Sequence, residues 1–306
     1  MKTTPVTTED LVRSVISVPP LARTANYELD EQANRRLLSY LHAGGVTTAL
    51  YGGNANLYNI GTRQFQQLLA DLSDWAPADT WLIPSIGPSY GQMLDHLEIV
   101  KEHDYPTVMV LPLRTPATPA GTATGIRHAA ESFGRPLILY LKWEAYLTTD
   151  LVAELAADGL LCGIKYAIVR DDPAEDAYLR DLLAKVDSQL VISGIGERPA
   201  ITHWRDFGLR SFTSGSVCIG PAQATTLLRL LKAGRFEEAA AMRERFMPFE
   251  DLRDSVNPVR VLHHGVTAAE VCETGPLLPL LSGLEAGDAE RVAAAAKQLR
   301  SSEGVA

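Results

Sequence analysis

Eight short apolar runs alternate with stretches of helical periodicity over about the first 230 residues of the chain. Such runs are typical of buried strands, and helices between them imply parallel pairing through right-handed crossovers. The eight runs are Val15–Val18, Thr47–Tyr51, Trp81–Ile83, Thr107–Leu111, Leu137–Tyr140, Leu161–Lys165, Leu190–Ser193 and Ser211–Ser214. Eight repeats of this kind predict an α/β fold, the (β/α)8 TIM barrel. An open doubly wound sheet is the alternative, but no glycine-rich dinucleotide loop follows the first run.

The stretches between the runs carry apolar residues at helical spacing. The predicted barrel helices are Leu29–Ala43, Thr62–Trp75, Tyr90–His103, Ala120–Phe133, Thr149–Ala157, Pro173–Val186, Ala200–Phe207 and Pro221–Ala233. Further helices are predicted over Phe236–Val256, Thr267–Glu273, Pro276–Gly283 and Asp288–Arg300. The pair His263-His264, next to Gly265, is interpreted as a turn with a surface or helix-end role. We therefore expect a barrel domain over residues 1–233 and a C-terminal helical appendix over residues 234–306, with a frayed tail over residues 301–306.

Composition narrows the class of protein. The chain has 306 residues, of which 46% are hydrophobic and 21% charged, as in ordinary globular proteins. A net charge of −9 argues against a nucleic-acid partner, which requires a basic face. No apolar stretch is long enough to span a membrane, and the polar start of the chain lacks a signal core, so we expect a cytoplasmic protein. Its three cysteines, Cys162, Cys218 and Cys272, are widely spaced and form no metal-binding pair, so we interpret them as core thiols.

The segment Gly163-Ile164-Lys165-Tyr166-Ala167 places a lysine at the end of the sixth apolar run. Ending a buried strand on an ammonium group is costly unless the charge is solvated or used. Burial lowers the pKa of a lysine, and a neutral amine can attack a carbonyl to form a Schiff base. A lysine that extends from the strand end into solvent is the alternative interpretation of Lys165.

In a barrel of this kind the active site forms at the C-terminal ends of the strands. Those ends carry Gly52-Gly53-Asn54-Ala55-Asn56 after strand two, Tyr140 and Lys142 at strand five, Lys165 at strand six, Ser193-Gly194 at strand seven and Ser214 at strand eight. In order and position, this set resembles the dihydrodipicolinate synthase and N-acetylneuraminate lyase family of class I aldolases. The resemblance covers nearly the whole chain, including the extra C-terminal helices, and Gly-Ile-Lys in strand six is its best match.

The resemblance implies roles for individual residues. Lys165 would be the Schiff-base lysine, and Tyr140 would match the tyrosine that ends strand five in the family. Ser193-Gly194 matches the family's Ser-Gly in strand seven, and we expect Gly194 and Ser214 to contact the substrate. The implied substrate is a 2-oxo acid such as pyruvate, with no cofactor beyond the covalent imine and no metal ion. Family members usually assemble as homodimers or homotetramers, so we expect a homo-oligomer.

The loop after strand two departs from the family pattern Gly-Thr-Thr-Gly-Glu, whose threonine pair binds the substrate carboxylate. This chain has Gly52-Gly53-Asn54-Ala55-Asn56 instead. Backbone N–H groups of a glycine-containing turn can still bind a carboxylate, and an asparagine amide can replace a hydroxyl donor. We therefore expect Gly53 and Asn54 to hold the carboxylate. The alternative is that Gly52-Gly53 simply makes a tight turn.

Two further departures argue against dihydrodipicolinate synthase itself. After strand four, where the synthases have a tyrosine, the chain reads Pro112-Leu113-Arg114-Thr115. Arg114 is a candidate anion clamp or an ordinary surface arginine. After strand five the synthases carry an arginine for the second substrate, but no arginine lies between Arg135 and Arg170 here.

Lys142, near the end of strand five, has two interpretations. It lies two residues beyond Tyr140, and positions i and i+2 of a strand share a face. If the strand persists, Lys142 enters the pocket of Lys165, where it could bind a distal carboxylate, lower the pKa of Lys165 by like-charge repulsion or itself form the imine. If the strand has ended, Lys142 is solvated.

The sequence as a whole predicts a Schiff-base lyase or aldolase that cleaves or forms a C–C bond next to a 2-oxo acid imine. A dehydratase of a sugar-derived 2-oxo acid would use the same imine. A homologue without catalysis that binds a 2-oxo acid or sugar acid is the alternative from another class, and a barrel enzyme without imine chemistry is a third.

Overall fold

Eight parallel strands close into a barrel in the computed structural model, which describes residues 1–301. The strands are β1 (Ile16–Ser17), β2 (Thr48–Tyr51), β3 (Trp81–Ile86), β4 (Met109–Val110), β5 (Leu137–Leu141), β6 (Leu161–Tyr166), β7 (Val191–Ser193) and β8 (Thr213–Ser214). Each strand pairs with the next along the chain from β1 to β7, and β1 also pairs with β8. A single bridge between Ser193 and Phe212 joins β7 to the β8 segment. The predicted (β/α)8 barrel is confirmed.

The helices are α1 (Thr8–Val12), α2 (Glu31–Ala43), α3 (Thr62–Trp75), α4 (Tyr90–Val100), α5 (Pro119–Phe133), α6 (Thr149–Ala157), α7 (Ala177–Leu183), α8 (Ala200–Phe207), α9 (Pro221–Lys232), α10 (Phe236–Arg243), α11 (Met247–Ser255), α12 (Pro258–Ala268) and α13 (Ala286–Ser301). The predictions for α3, α6 and α8 match at both ends. Helix α7 is shorter than predicted because it begins at the N-cap Asp176, whose carboxylate accepts a hydrogen bond from the Leu179 N–H. Helix α1 was not predicted.

Side chains that point into the barrel form layers along its axis. A Cβ at Gly163 would lie within 3.5 Å of Ile138, Ile192 and Leu11, so these side chains fill the interior at that level. Leu11 comes from α1, which closes the N-terminal end of the barrel. Lys165, two residues beyond Gly163 on β6, shares its inward face and lies one layer nearer the C-terminal mouth.

Two of the predicted C-terminal helices were wrong in their bounds. The predicted helix Phe236–Val256 is divided into α10 and α11, because Pro248 lies in the first turn of α11, the position in a helix that tolerates a missing N–H. The predicted helix Thr267–Glu273 is also wrong: α12 starts earlier, at Pro258, and ends at Ala268, so only Thr267 and Ala268 of that range are helical. Asn257 caps α12, since its Oδ1 accepts from Val259 N at 3.1 Å and Arg260 N at 3.0 Å.

Two further C-terminal predictions were also wrong, and one was confirmed. Residues 276–283 are irregular and not helical. His263 lies within α12 and is buried, and not in a turn, because Gly265 allows the helix to pack directly on Phe249: a Cβ at Gly265 would lie 2.5 Å from that ring. The prediction over Asp288–Arg300 is confirmed by α13. Of the expected frayed tail, Ser301 ends α13, and residues 302–306 lie outside the described residues.

Helices α10–α13 pack on the barrel through a shared core. Phe249 of α11 contacts α12 at Gly265, and buried residues of α2, α9, α11, α12 and α13 form one hydrophobic cluster. The boundary at residue 233 stays a prediction. All three cysteines are buried and unpaired. Within residues 1–301, none of the helices has the length and apolar character needed to cross a bilayer.

Candidate active site

A cavity of about 280 Å³ opens at the C-terminal mouth of the barrel. Its walls come from the ends of several strands and from helix α11. The lining residues include Gly53, Asn54, Tyr58, Tyr140, Lys142, Lys165, Gly194, Thr213, Gly215, Glu250 and Arg253. Six of the seven sequence-predicted site residues are therefore brought together around one space, and Ser214 is the exception.

Lys165 and Tyr140 are paired across adjacent strands. They stand opposite each other in the register of β5 and β6, and the Lys165 Nζ lies 4.2 Å from the centroid of the Tyr140 ring. Both side chains are buried, with 5% of Lys165 and 9% of Tyr140 exposed. The lysine is therefore held inside the barrel mouth and does not extend into solvent.

The electrostatic environment shifts both groups. Burial, which disfavours the charged form, lowers the pKa of Lys165, and the positive charges of Lys142 and Arg253 lower it further, against the opposing effect of Tyr140. Burial alone would raise the pKa of the Tyr140 phenol, but Lys165 and Lys142 together hold that pKa below its usual value. The lowered pKa of Lys165 favours the free amine, which is the nucleophilic form, and the lowered pKa of Tyr140 makes its phenol a better proton donor.

Lys142 lies at the rim of this cavity. Strand β5 ends at Leu141, so Lys142 is one residue beyond it and is exposed. Its Nζ nevertheless lies 6.0 Å from the centroid of the Tyr140 ring, on the same side of the mouth as Lys165. Arg114 takes a different place: its guanidinium group lies 5.9 Å from the centroid of the Trp143 ring, and it does not line the cavity.

The loop after β2 forms another wall. Asn54 Nδ2 donates a hydrogen bond to the Val18 carbonyl at 2.8 Å, which fixes the amide beside the end of β1. The chain then turns at Asn56, in the left-handed conformation with φ of 55°, into a single 3-10 turn over Leu57–Asn59. That turn carries Tyr58 to the cavity, a second hydroxyl that the sequence analysis did not identify.

Gly194 and Ser214 occupy different positions relative to the cavity. Gly194 lies against β6, where an added Cβ would be 2.6 Å from the Tyr166 carbonyl oxygen and 2.9 Å from Lys165 Cγ. Ser214, which was expected to contact the substrate, does not line the cavity, and its hydroxyl accepts from Val217 N at 2.9 Å. Because side chains alternate along a strand, Thr213 and Gly215 line the cavity instead.

A buried charged cluster completes the wall. Arg253 Nη1 donates to Glu250 Oε1 at 2.7 Å, and the Ser216 hydroxyl donates to the same oxygen. Glu197, which follows β7, is fully buried, and among the described residues neither of its carboxylate oxygens has a well-aligned hydrogen-bond partner. Burial, followed by the nearby charge of Glu250, raises the pKa of Glu197 to about 8, so the carboxyl group is protonated at neutral pH.

Helix α11 is anchored to the barrel next to this cluster. Arg198 forms ion pairs with Asp251 at 2.6 Å and with Asp254 at 3.0 Å, so the segment after β7 holds α11 in place. Glu250 and Arg253 were not predicted as site residues, because an acidic and a basic residue three positions apart on a polar helix usually form a surface pair. Within residues 1–301, no group of three metal-ligating side chains comes together.

Solved structures of dihydrodipicolinate synthase are similar to this one. The structure from Oceanobacillus iheyensis matches with a TM-score of 0.85 and 22% identity, over 96% of this chain and 98% of that one. The chain has the dihydrodipicolinate synthase fold. The synthase from Bacillus clausii matches with a TM-score of 0.84 and 20% identity, over 97% of this chain and 99% of that one. A structure of PhdJ bound to a substrate intermediate has a TM-score of 0.83 and 17% identity, over 98% and 99% of the two chains.

No family model matches the sequence, and no curated protein sequence does. The dihydrodipicolinate synthase fold extends over the barrel and the C-terminal helices alike, because the matches cover nearly all of both chains.

Proposed function

We propose that this protein is a divergent member of the dihydrodipicolinate synthase and N-acetylneuraminate lyase family and that it acts as a Schiff-base lyase on a pyruvate-type 2-oxo acid. The observation that carries the proposal is the buried amine of Lys165, held against Tyr140 at the barrel mouth. Its lowered pKa favours the free amine, the form that attacks a carbonyl. A cytoplasmic homo-oligomer that needs no cofactor beyond the imine is part of the same proposal.

The chemistry proceeds through a covalent imine. The Lys165 amine attacks C2 of the 2-oxo acid, and the resulting carbinolamine loses water to give a protonated imine. In a substrate with a hydroxyl group at C4, that hydroxyl gives up its proton, the bond between C3 and C4 breaks, its electron pair moves into the imine to form an enamine, and C4 leaves as an aldehyde. Protonation of the enamine at C3 and hydrolysis then release the shortened 2-oxo acid and restore the amine. The condensation reaction follows the same steps in reverse.

Tyr140 is placed to move protons in these steps. Its phenol lies next to the Lys165 Nζ, where it can donate a proton to the departing hydroxyl of the carbinolamine and later exchange a proton with the substrate. Gly53 and Asn54 lie across the same cavity and supply donors for the carboxylate of the 2-oxo acid. Lys142 at the rim is available to a second anionic group of a longer substrate.

The reaction is proposed to differ from that of dihydrodipicolinate synthase. The segment after β5 offers Lys142 and no arginine, and Arg114 after β4 lies over Trp143, away from the cavity. A dehydratase of a sugar-derived 2-oxo acid would use the same imine but break a C–O bond. Substrate screening separates the lyase from the dehydratase, because only the lyase releases an aldehyde.

Borohydride trapping tests the proposal. The protein is incubated with pyruvate and with a panel of longer 2-oxo acids, reduced, and mapped by peptide mass spectrometry. We expect a substrate-sized adduct on the Lys165 peptide, which Lys165→Met abolishes and Lys142→Met retains. An adduct on Lys142 would reassign the nucleophile. The absence of any adduct across the panel would overturn the lyase proposal in favour of a binding protein without catalysis.

A further inference from the structure

Arg253 reaches the cavity from helix α11, and one side of its guanidinium group has no protein acceptor. Its Nη1 donates to Glu250 at 2.7 Å, and its Nε makes a long contact of 3.5 Å with the Pro258 carbonyl. Among the described residues, Nη2 has no hydrogen-bond acceptor. Because only 8% of Arg253 is exposed and the residue lines the cavity, Nη2 faces the cavity and not bulk solvent.

Asn54 directs a second donor to the same place. A Cβ at Gly215 would lie 2.8 Å from Arg253 Nη2 and 2.9 Å from Asn54 Nδ2. The two nitrogens therefore flank one point at the end of β8, at a distance that suits an oxygen acceptor but is too short for a side-chain carbon at position 215. The hydrogen bond to the Val18 carbonyl uses only one of the two amide protons of Asn54. Two converging N–H donors, one of them on a guanidinium group, match the geometry of a carboxylate.

The surrounding charges permit an anion at this point. On α11, Glu250 balances the charge of Arg253, and the exposed Asp254, which also lines the cavity, is balanced by its ion pair with Arg198 at 3.0 Å. After β7, Glu197 is protonated at neutral pH because burial raises its pKa to about 8. From the end of β5, Lys142 contributes positive charge, and Lys165 on β6 adds no negative charge whether its amine is neutral or protonated. An incoming carboxylate therefore meets no net negative charge.

We propose that Arg253 and Asn54 together bind the carboxylate bonded to the reacting carbonyl carbon of the substrate. This inference rests on the proposed function, and it assigns the selection of 2-oxo acids over simple ketones to a helix outside the barrel. Glu250 is a positioning residue, because its carboxylate, fixed by Ser216, orients the guanidinium group. Lys165 on β6 then reacts with the carbonyl group of the substrate, and the anion site between β8 and the β2 loop binds its carboxylate.

The test compares two carbonyl compounds that differ in the carboxylate. The half-saturating concentration for borohydride trapping on Lys165 is measured with pyruvate and with hydroxyacetone, for the wild type, Arg253→Lys and Gly215→Ala. Arg253→Lys keeps the charge beside Glu250 but loses the paired donors. Gly215→Ala places a methyl group at the proposed carboxylate position, and the backbone there, with φ of −87° and ψ of −41°, accepts an alanine.

We expect either substitution to raise the half-saturating concentration of pyruvate by about tenfold or more, since charge-assisted hydrogen bonds of this kind contribute that much. Hydroxyacetone should change less than about threefold. Arg205→Lys, which alters an exposed arginine of α8 that pairs with its neighbour Asp206, is the matched control and should affect neither compound. Equal changes for the two compounds, or none, would overturn the inference. Circular dichroism and thermal melts establish that each variant is folded.

A second measurement separates this inference from the proposed function. Lys165→Met cannot form the imine, so equilibrium binding of pyruvate to that variant, measured by saturation-transfer NMR, reports carboxylate recognition alone. Adding Gly215→Ala should weaken that binding by about tenfold. If the wild type forms no adduct but this difference is found, the proposed function fails and the anion site stands. If pyruvate binds the single and double variants equally, or binds neither, the anion site is refuted.

Discussion

Gly194 packs directly on the stem of Lys165. A Cβ at position 194 would lie 2.9 Å from Lys165 Cγ and 2.6 Å from the Tyr166 carbonyl oxygen, closer than carbon atoms and backbone oxygens approach in folded proteins. The Gly194 N–H also donates to that carbonyl at 2.7 Å. The glycine that follows β7 thus fixes the direction in which the β6 lysine leaves its strand.

Gly194→Ala should therefore impair the chemistry at Lys165. The methyl group must displace the lysine stem or separate the ends of β6 and β7, and overpacking of this kind costs about 1–3 kcal/mol of the free energy of unfolding. We expect the rate of borohydride trapping with pyruvate to fall by about tenfold or more, because small misplacements of a reacting group are costly. The control is Gly91→Ala in α4, where an added Cβ meets nothing within 4 Å. A Gly194→Ala protein that traps pyruvate as fast as the control would contradict this role.

Tyr140→Phe should slow imine formation while leaving the barrel intact. The substitution keeps the ring that lies 4.2 Å from the Lys165 Nζ and removes only the hydroxyl that would transfer protons. Loss of a general acid or base typically lowers the rate about 10²–10⁴-fold. Single-turnover trapping with pyruvate measures the effect. Tyr58→Phe is the comparison, since it removes the other phenol that lines the cavity. A larger loss in Tyr58→Phe than in Tyr140→Phe would move the proton-transfer role to Tyr58.

The pH dependence of trapping should move when Lys142 loses its charge. Burial lowers the pKa of Lys165 most, and the positive charge of Lys142 lowers it further. Removing that charge in Lys142→Met favours protonated Lys165, so its pKa rises and the rate with pyruvate increases at a higher pH than in the wild type. Lys142→Arg keeps the charge and should retain the wild-type profile. A shift to lower pH in Lys142→Met would show that Lys142 acts on Lys165 in another way.

Much of the barrel could be predicted from the sequence, because parallel strands buried on both faces read as apolar runs separated by helices. The order of the runs then placed Tyr140 and Lys165 on neighbouring strands, and the structure puts them in register. Ser214 does not line the cavity, for a simple reason. A strand alternates its side chains, and Thr213 and Gly215 occupy the inward face that was assigned to Ser214.

The residues that α11 contributes to the site could not be predicted from the sequence pattern. Glu250 and Arg253 lie on a helix that the periodicity predicted as part of a longer one, and nothing in their spacing indicates which face meets the barrel mouth. The sequence does carry two local signals for the starts of these helices. Pro248 and Asn257-Pro258 are helix starts, and they would have given the bounds of α11 and α12. The docking of α11 against the segment after β7 depends on long-range contacts, such as those of Arg198, that only the folded chain reveals.

Glu197 should make the stability of the protein depend on pH. Its pKa rises from the ordinary 4.5 to about 8 in the folded chain, because burial and Glu250 disfavour the carboxylate. A group whose pKa is raised by folding stabilises the native state fully below its unfolded pKa, and that contribution is lost as the pH rises through the folded pKa. The window therefore runs from about pH 4.5 to about pH 8.

Glu197→Gln keeps the shape of the protonated side chain but cannot ionise. We expect its free energy of unfolding to be similar to that of the wild type at pH 5 and to exceed it increasingly towards pH 8.5, where the wild type must either bury a charge or hold a proton against the solution. Urea denaturation at several pH values measures both proteins. Glu244→Gln, which changes an exposed glutamate, is the matched control and should show no such trend. A difference between Glu197→Gln and the wild type that stays constant with pH would mean that Glu197 is ionised throughout this range in the folded protein, and the anion site beside Arg253 would then carry a net negative charge.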